Sequence, residues 1–331
     1  MINTELYSSR LREKAVILSE KKVLIARLRG SEQERDLTAP ANCRGYGRIR
    51  HFRFYKHPDW SPDPLPILPA AKALGYEPDV VLRTQVFQIA ACNWRCWYCF
   101  VDYSRLSADR RVSDYFTTDD LIEMYLEQEN RPQVIDLSGG QPDLVPEYLL
   151  WMIESIKKYG LESEVFLWSD DNLSNRYFWK YLNREQIRTI TSFPMYSRVA
   201  CFKGYDEESF SFNTLAPPEL FNQQFEIYRD LMREGLDMYA YVTFTAIPHN
   251  NLRSAMARFV DKLQEIHPNL PLRTVPLKIE VFTPTKGRVK QEHETALAFQ
   301  HDVHAAWIEE LSKRYSEAER NIPICDVPMR P

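Results

Sequence analysis

From about Val80 onward one pattern recurs six times: a short run rich in β-branched and aromatic residues, followed by a longer amphipathic segment. Strands are expected at Val80 to Ala91, Val134 to Leu137, Glu164 to Trp168, Arg198 to Phe202, Met238 to Ala246 and Val275 to Phe282. Helices are expected near 118–129, 146–159, 219–234, 252–266 and 295–319, the second opened by Pro146 and closed by Gly160. Six β-then-α units in a row imply parallel strands with right-handed crossovers, and an α/β fold of the partial (β/α)6 TIM-like barrel kind is the natural closure. In parallel barrels the working residues gather at the C-terminal ends of the strands, so each strand's last residues and the loop after it become candidates.

The rest of the chain is expected to serve this core. Residues 5 to 30 mix apolar and charged positions at helical spacing, with Leu11, Ala15, Leu18 and Ile25 on one face, and Gly30 and Pro40 end the pattern. From His57 to Pro69 five prolines read as an extended linker or wrapping arm. Three parts follow: an N-terminal helical and extended appendage over 1–79, the barrel over 80–285, and a C-terminal helical extension over 286–331 that closes it.

The loop after the first strand holds Cys92, Cys96 and Cys99, half of the six cysteines, spaced by three residues and then two. Cysteine thiolates so close in sequence hold iron–sulfur clusters, and a cubane with three protein ligands leaves one iron open for chemistry. A structural zinc site completed by Cys43 or a histidine is the competing reading, though zinc sites usually arrive as paired knuckles and no second pair is present. Trp94, Trp97 and Phe100 can pack apolar surface around such a centre.

This CxxxCxxC spacing, with Tyr98 before the last cysteine, resembles the signature of the radical S-adenosylmethionine (SAM) enzymes. The resemblance implies the same partial barrel, a [4Fe-4S] cluster on the three cysteines, and SAM chelated at the open iron. In that family the reduced cluster splits SAM into methionine and a 5′-deoxyadenosyl radical, which takes a hydrogen atom from the substrate. Ser138-Gly139-Gly140-Gln141-Pro142, after the second strand, resembles the family's GGEP motif, which binds the SAM amino group. Here Gln141 replaces the acid, so the charge-assisted part of that contact is lost unless Asp143 or Asp136 supplies it. The likeness covers roughly residues 80–285 and no auxiliary cysteine cluster follows it.

The remaining strand ends supply further candidates. Ser169, Asp170, Asp171 and Asn172 offer partners to a ribose or a polar substrate, with helix capping as the rival explanation. Lys203 can pair with an anionic ligand or snorkel to water. Thr243 and Thr245 lie on an unusually polar strand beside Tyr239 and Tyr241. Lys278 and Glu280 sit within an apolar run, where a charge needs a partner, which makes Glu280, with Lys203, a candidate catalytic residue.

Formal net charge is −4, yet residues 1–57 carry thirteen Lys and Arg against six Asp and Glu. That asymmetry suits an acidic electron donor, an anionic substrate or RNA, and solvated helix faces explain it equally well. No apolar run reaches the roughly 18 to 20 residues that span a bilayer, and Arg10, Arg12, Lys14, Lys21 and Lys22 interrupt the start, so a cytoplasmic protein is expected. Cys43, Cys201 and Cys325 read as thiols of a reducing compartment with no special role. The expected function is a radical SAM enzyme acting on a small polar metabolite such as a sugar acid or nucleoside, served by a flavodoxin- or ferredoxin-type donor. A glycyl-radical activase, an RNA-modifying enzyme and a zinc-binding module are the alternatives, with nucleic acid not the expected partner.

Overall fold

The computed structural model describes residues 1–55 and 58–329, so His57, which opens the proline-rich stretch, lies outside the described residues. Among the described residues ten strands form: β1 (Val16–Ile17), β2 (Lys22–Ala26), β3 (Gly47–Arg53), β4 (Val81–Phe87), β5 (Ser113–Thr117), β6 (Val134–Leu137), β7 (Phe166–Asp171), β8 (Tyr196–Phe202), β9 (Met238–Thr243) and β10 (Thr274–Leu277). Seven of them make one curled, half-barrel sheet in the order β10-β9-β8-β7-β6-β4-β3. The six strands from β4 through β6 to β10 are parallel and follow chain order, while β3 runs antiparallel to β4 along one edge. A second sheet, β1-β2-β5, is antiparallel.

Helices connect successive parallel strands: α3 (Thr118–Leu126), α4 (Glu147–Lys158), α5 (Tyr177–Tyr181) and α6 (Arg184–Thr191), α7 (Glu207–Thr214) and α8 (Leu220–Arg233), and α9 (Leu252–Ile266). Beyond β10 come α10 (Thr283–Lys286), α11 (Gln291–Arg314) and α12 (Glu317–Arg320); α1 (Thr4–Ala15) and α2 (Ile67–Leu74) precede the barrel strands. Alternation along the strands divides the core in two. Ile135, Leu137, Leu167, Ala200, Phe202 and Val242 pack under the helices. Val134, Phe166, Trp168, Val199, Tyr239, Tyr241 and Val275 point the other way, where Leu65 and Ala70 before and within α2, and Ile324, cover them.

The proline-rich stretch wraps rather than links. Trp60 Nε1 donates to the Pro276 carbonyl at 2.9 Å, Tyr241 donates its hydroxyl to Asp63 at 2.8 Å, and Ser61 meets His304 of α11 at 2.8 Å. Helix begins again at Ile67, with Pro69 in its first turn, where a missing N–H costs nothing.

The helix expected over 5–30 ends at Ala15. Lys21 adopts a left-handed conformation (φ +50°) and turns the chain so that the β-branched run 22–26 pairs with both β1 and β5. Leu18, expected on the apolar face, is more than half exposed. Helix α1 instead buries Arg12, whose guanidinium binds both carboxylate oxygens of Glu147 and lies 3.6 Å over the Tyr181 ring. The strand expected to 282 stops at Leu277, and the strand expected to close at Trp168 runs on to Asp171.

Candidate functional site

The three cysteines follow β4, the first parallel strand, on a loop fixed by its own backbone, by Arg95 within it and by the distant Arg288. Cys92 N–H donates to the Leu106 carbonyl and Cys99 N–H to that of Cys96, each at 3.0 Å. Arg95 Nη1 donates to the Cys92 carbonyl at 2.6 Å, and Arg288 Nη1 to that of Cys99 at 2.7 Å. Arg288 also reaches the Val101 carbonyl and lies 3.5 Å over Tyr103, whose hydroxyl donates to the Cys96 carbonyl. Trp97 is buried, stacked on His293, with its indole N–H donating to Asn213 Oδ1 at 3.1 Å.

All three cysteines are free and partly exposed. Burial pushes the Cys96 thiol up to about 12 and raises that of Cys99, each also feeling the Cys92 sulfur. Among the described residues no three His, Cys, Asp or Glu side chains converge as they would on a single metal ion. The surrounding donors suit an iron–sulfur cluster. Asn172 Nδ2 lies 3.9 Å from Cys92 Sγ, an N–H beside sulfur of the kind that tunes cluster potential, and its Oδ1 is buried without a partner.

The Gly-Gly turn lies against the same loop. Gly139 and Gly140 have φ +84° and +75°. A Cβ on Gly140 would stand 2.4 Å from the Ile89 carbonyl oxygen, and one on Gly139 2.5 Å from Gln88 Oε1. The glycines therefore admit close approach of the protein's own chain, where the sequence suggested approach of a ligand.

Gln141 differs from its expected use. Its backbone N–H donates to the Ala91 carbonyl at 2.7 Å, its Nε2 to Asp171 at 2.8 Å, and its Oε1 accepts the Asn172 N–H at 2.9 Å. Buried and engaged at both ends of its amide, it ties the ends of β6 and β7 to the cysteine loop. Pro142 opens a short 3-10 turn. Asp143 is also committed: it accepts from Arg198 Nη1 at 2.7 Å, and the same nitrogen lies 3.2 Å from Asp171. Burial pushes Asp143 up to about 7 against the pull of Arg198.

The other expected residues divide clearly. Tyr98 donates its hydroxyl to Thr243 at 3.3 Å, so these two are brought together. Thr245 donates to Asn213 Oδ1, part of the Trp97 support. Ser169 meets the Tyr196 hydroxyl, and Ser138 donates to Asp170 at 2.5 Å. Asp171 sits within β7 and Asn172 just beyond it, with no helix before Tyr177, so neither serves as a helix cap. Lys203, at the end of β8, lies within the fields of Cys96, Cys201 and Tyr98; burial acts to lower its pKa, and these neighbours outweigh burial and hold the ammonium charged. Glu280 is exposed beyond the end of β10, so the buried strand that made it a candidate is not there. Lys278 pairs with Asp59 at 3.4 Å.

Arg198, Arg48 and Arg50 were not singled out from the sequence. Arg198 begins the expected fourth strand, and the demand that a buried charge be partnered, applied there to Lys278 and Glu280, points to it equally well.

The family model described as "4Fe-4S single cluster domain" matches residues 81–193, from the start of β4 through α6 and about a third of the chain. No curated protein matches the sequence. That family is associated with radical SAM proteins, and the match supports an iron–sulfur protein of the radical-SAM-like kind.

Proposed function

We propose that the chain is a radical SAM enzyme built on a partial (β/α)6 barrel, acting on a small polar substrate. The observation that carries this reading is the joining of three elements at one edge of the sheet: the tri-cysteine loop after β4, the Gly-Gly turn after β6 tied to it through Gln141 and Ala91, and Asn172 after β7 beside Cys92. Cys92, Cys96 and Cys99 would hold the [4Fe-4S] cluster. When bound, cluster and SAM together supply one-electron cleavage of SAM and a 5′-deoxyadenosyl radical that takes a substrate hydrogen atom.

The chain's own residues orient and enclose. Arg95, Arg288 and Asn213 hold the loop backbone, while Trp97 and Tyr98 exclude water from its inner side. Tyr98, Thr243 and Lys203 supply polar groups beside the cysteines for the cofactor. Ser138, Asp170 and the Gly139 to Pro142 turn bound the same region. Lys203 keeps an ammonium within Coulomb reach of the sulfurs, suited to the negative charge that an iron–thiolate centre carries.

Anaerobic reconstitution with iron and sulfide, followed by reductant and SAM, should yield 5′-deoxyadenosine. Replacing Cys92, Cys96 or Cys99 with Ala should abolish it. Turnover retained in any of the three, or a preparation that holds zinc instead of iron, overturns the assignment.

A further inference from the structure

Inside the curled sheet, side chains alternating with the helix-facing set bring an unusual polar group together. Arg48 and Arg50 lie on β3, in register with Val86 and Thr84 of β4. Asp136 comes from β6 and Asp170 from β7, with Gln88 just past β4. Buried atoms lacking a hydrogen-bond partner concentrate here: Arg48 Nε and Nη2, Gln88 Nε2, Thr84 Oγ1 and both oxygens of Asp136. Such atoms cost folding free energy, and a protein retains them where something else completes them. Arg48 is only 4 % exposed and Gln88 and Asp136 fully buried. The charges close only loosely on themselves: Arg50 Nη1 and Asp136 Oδ2 form an ion pair at 3.6 Å, longer than a hydrogen bond.

We infer that this group is the substrate seat of the proposed enzyme and takes a hydroxylated carboxylic acid, Arg48 gripping the carboxylate and Asp136 and Thr84 its hydroxyls. The inference rests on the reading given above for the cysteine loop and names the substrate class. Nε and Nη2 form one edge of the guanidinium, the edge whose two parallel N–H bonds match the two oxygens of a carboxylate. Gln88 Nε2 adds a neutral donor. Burial followed by Asp170 pushes Asp136 up to about 8, which keeps its carboxyl protonated and able both to donate and to accept. Asp136, Asp170 and Asp63, the last within the fields of Arg50 and Asp170, stand with the two arginines, so a phosphate dianion meets acids where a carboxylate adds a single negative charge. Arg48 also lies 5.0 Å over the ring of Phe100, the residue after Cys99, so the seat adjoins the loop of the proposed radical chemistry.

The test uses the anaerobic, iron-loaded chain and ligand-observed NMR, with glycolate, lactate, glycerate and gluconate each set against its primary amide. At least one acid should bind tenfold or more tightly than its amide. Arg48→Gln should erase that preference, and Arg48→Lys, which keeps the charge and loses the fork, should lose most of it. The melting temperature of Arg48→Gln should match or exceed that of the unsubstituted protein, because the substitution removes two buried nitrogens that have no hydrogen-bond partner. An acid that never outbinds its amide, a preference that survives Arg48→Gln, or displacement of the acid by SAM overturns the proposal. Acid preference in a protein that never forms 5′-deoxyadenosine keeps this seat and sinks the radical reading; cleavage of SAM without acid preference does the reverse.

Discussion

Two arginine and carboxylate groups lie within the same curled sheet, and they differ in whether the protein completes them. Around Arg198, Nε donates to the Tyr196 hydroxyl and Nη1 to Asp143 and Asp171, leaving only Nη2 without a partner, while Asp171 goes on to hold Gln141 and the Leu173 N–H. Around Arg48, two of the guanidinium nitrogens and both oxygens of Asp136 lack a hydrogen-bond partner, with only a loose ion pair from Arg50 to Asp136. The first group locks strand ends together as a girder does; the second stores binding capacity. Burial alone does not distinguish them, since both arginines are almost wholly enclosed, and only an inventory of partners does.

The largest effect that can break this contrast is Arg198→Met. It strands Asp143 and Asp171 in the interior, and loss of one member of a buried pair costs about 3–5 kcal/mol. Urea unfolding should show it, and a cost below about 1 kcal/mol would place the two groups on equal footing.

A pH series sharpens the contrast next. Asp136 has a folded-state pKa raised to about 8, burial being the larger cause, against an unfolded value near 3.8. Its contribution is therefore favourable below pH 4 and is lost as pH climbs through 8. Asp136→Asn removes that loss and should unfold at higher urea than the parent at pH 9, by about 1–3 kcal/mol, with the gap narrowing toward pH 5. An equal gap at both values means the carboxyl is not forced to ionise on burial.

Gln141→Ala cuts the tie from Asp171 to the turn and exposes no charge, so about 1–2 kcal/mol of stability should go, with iron content retained and SAM affinity weakened. Unchanged SAM affinity would leave Gln141 a purely structural brace. The smallest effect belongs to Arg48→Met, expected within about 1 kcal/mol of the parent in thermal unfolding; a larger loss would show that Arg48 holds the fold after all.

The parallel strands β4 and β6 to β10 and the helices α3, α4, α8 and α9 were legible because hydrophobic period and turn residues carry them locally, whereas β5 and the short helices α5, α6 and α7 were not. The cysteine loop was legible because its spacing is itself chemical. Residues 16–26 misled because their apolar positions satisfy a helical period as well as a strand, and pairing with β5, some ninety residues away in sequence, decided between them. The place of β3 in the main sheet was hidden for the same reason. Among polar residues the sequence named Asp136, Asp143, Asp170 and Asp171, and not which of them meets an arginine. Glu280 was misplaced because an apolar run does not announce where its strand ends.

Arg288, nearly two hundred residues beyond the cysteines, clasps the Cys99 and Val101 carbonyls, and Asn213 receives the Trp97 indole. Residues 81–193, cut out and expressed alone, would keep Cys92, Cys96 and Cys99 and lose both clasps. The portion recognisable as an iron–sulfur unit is thus not a freestanding module: the far end of the polypeptide is the buckle on its strap.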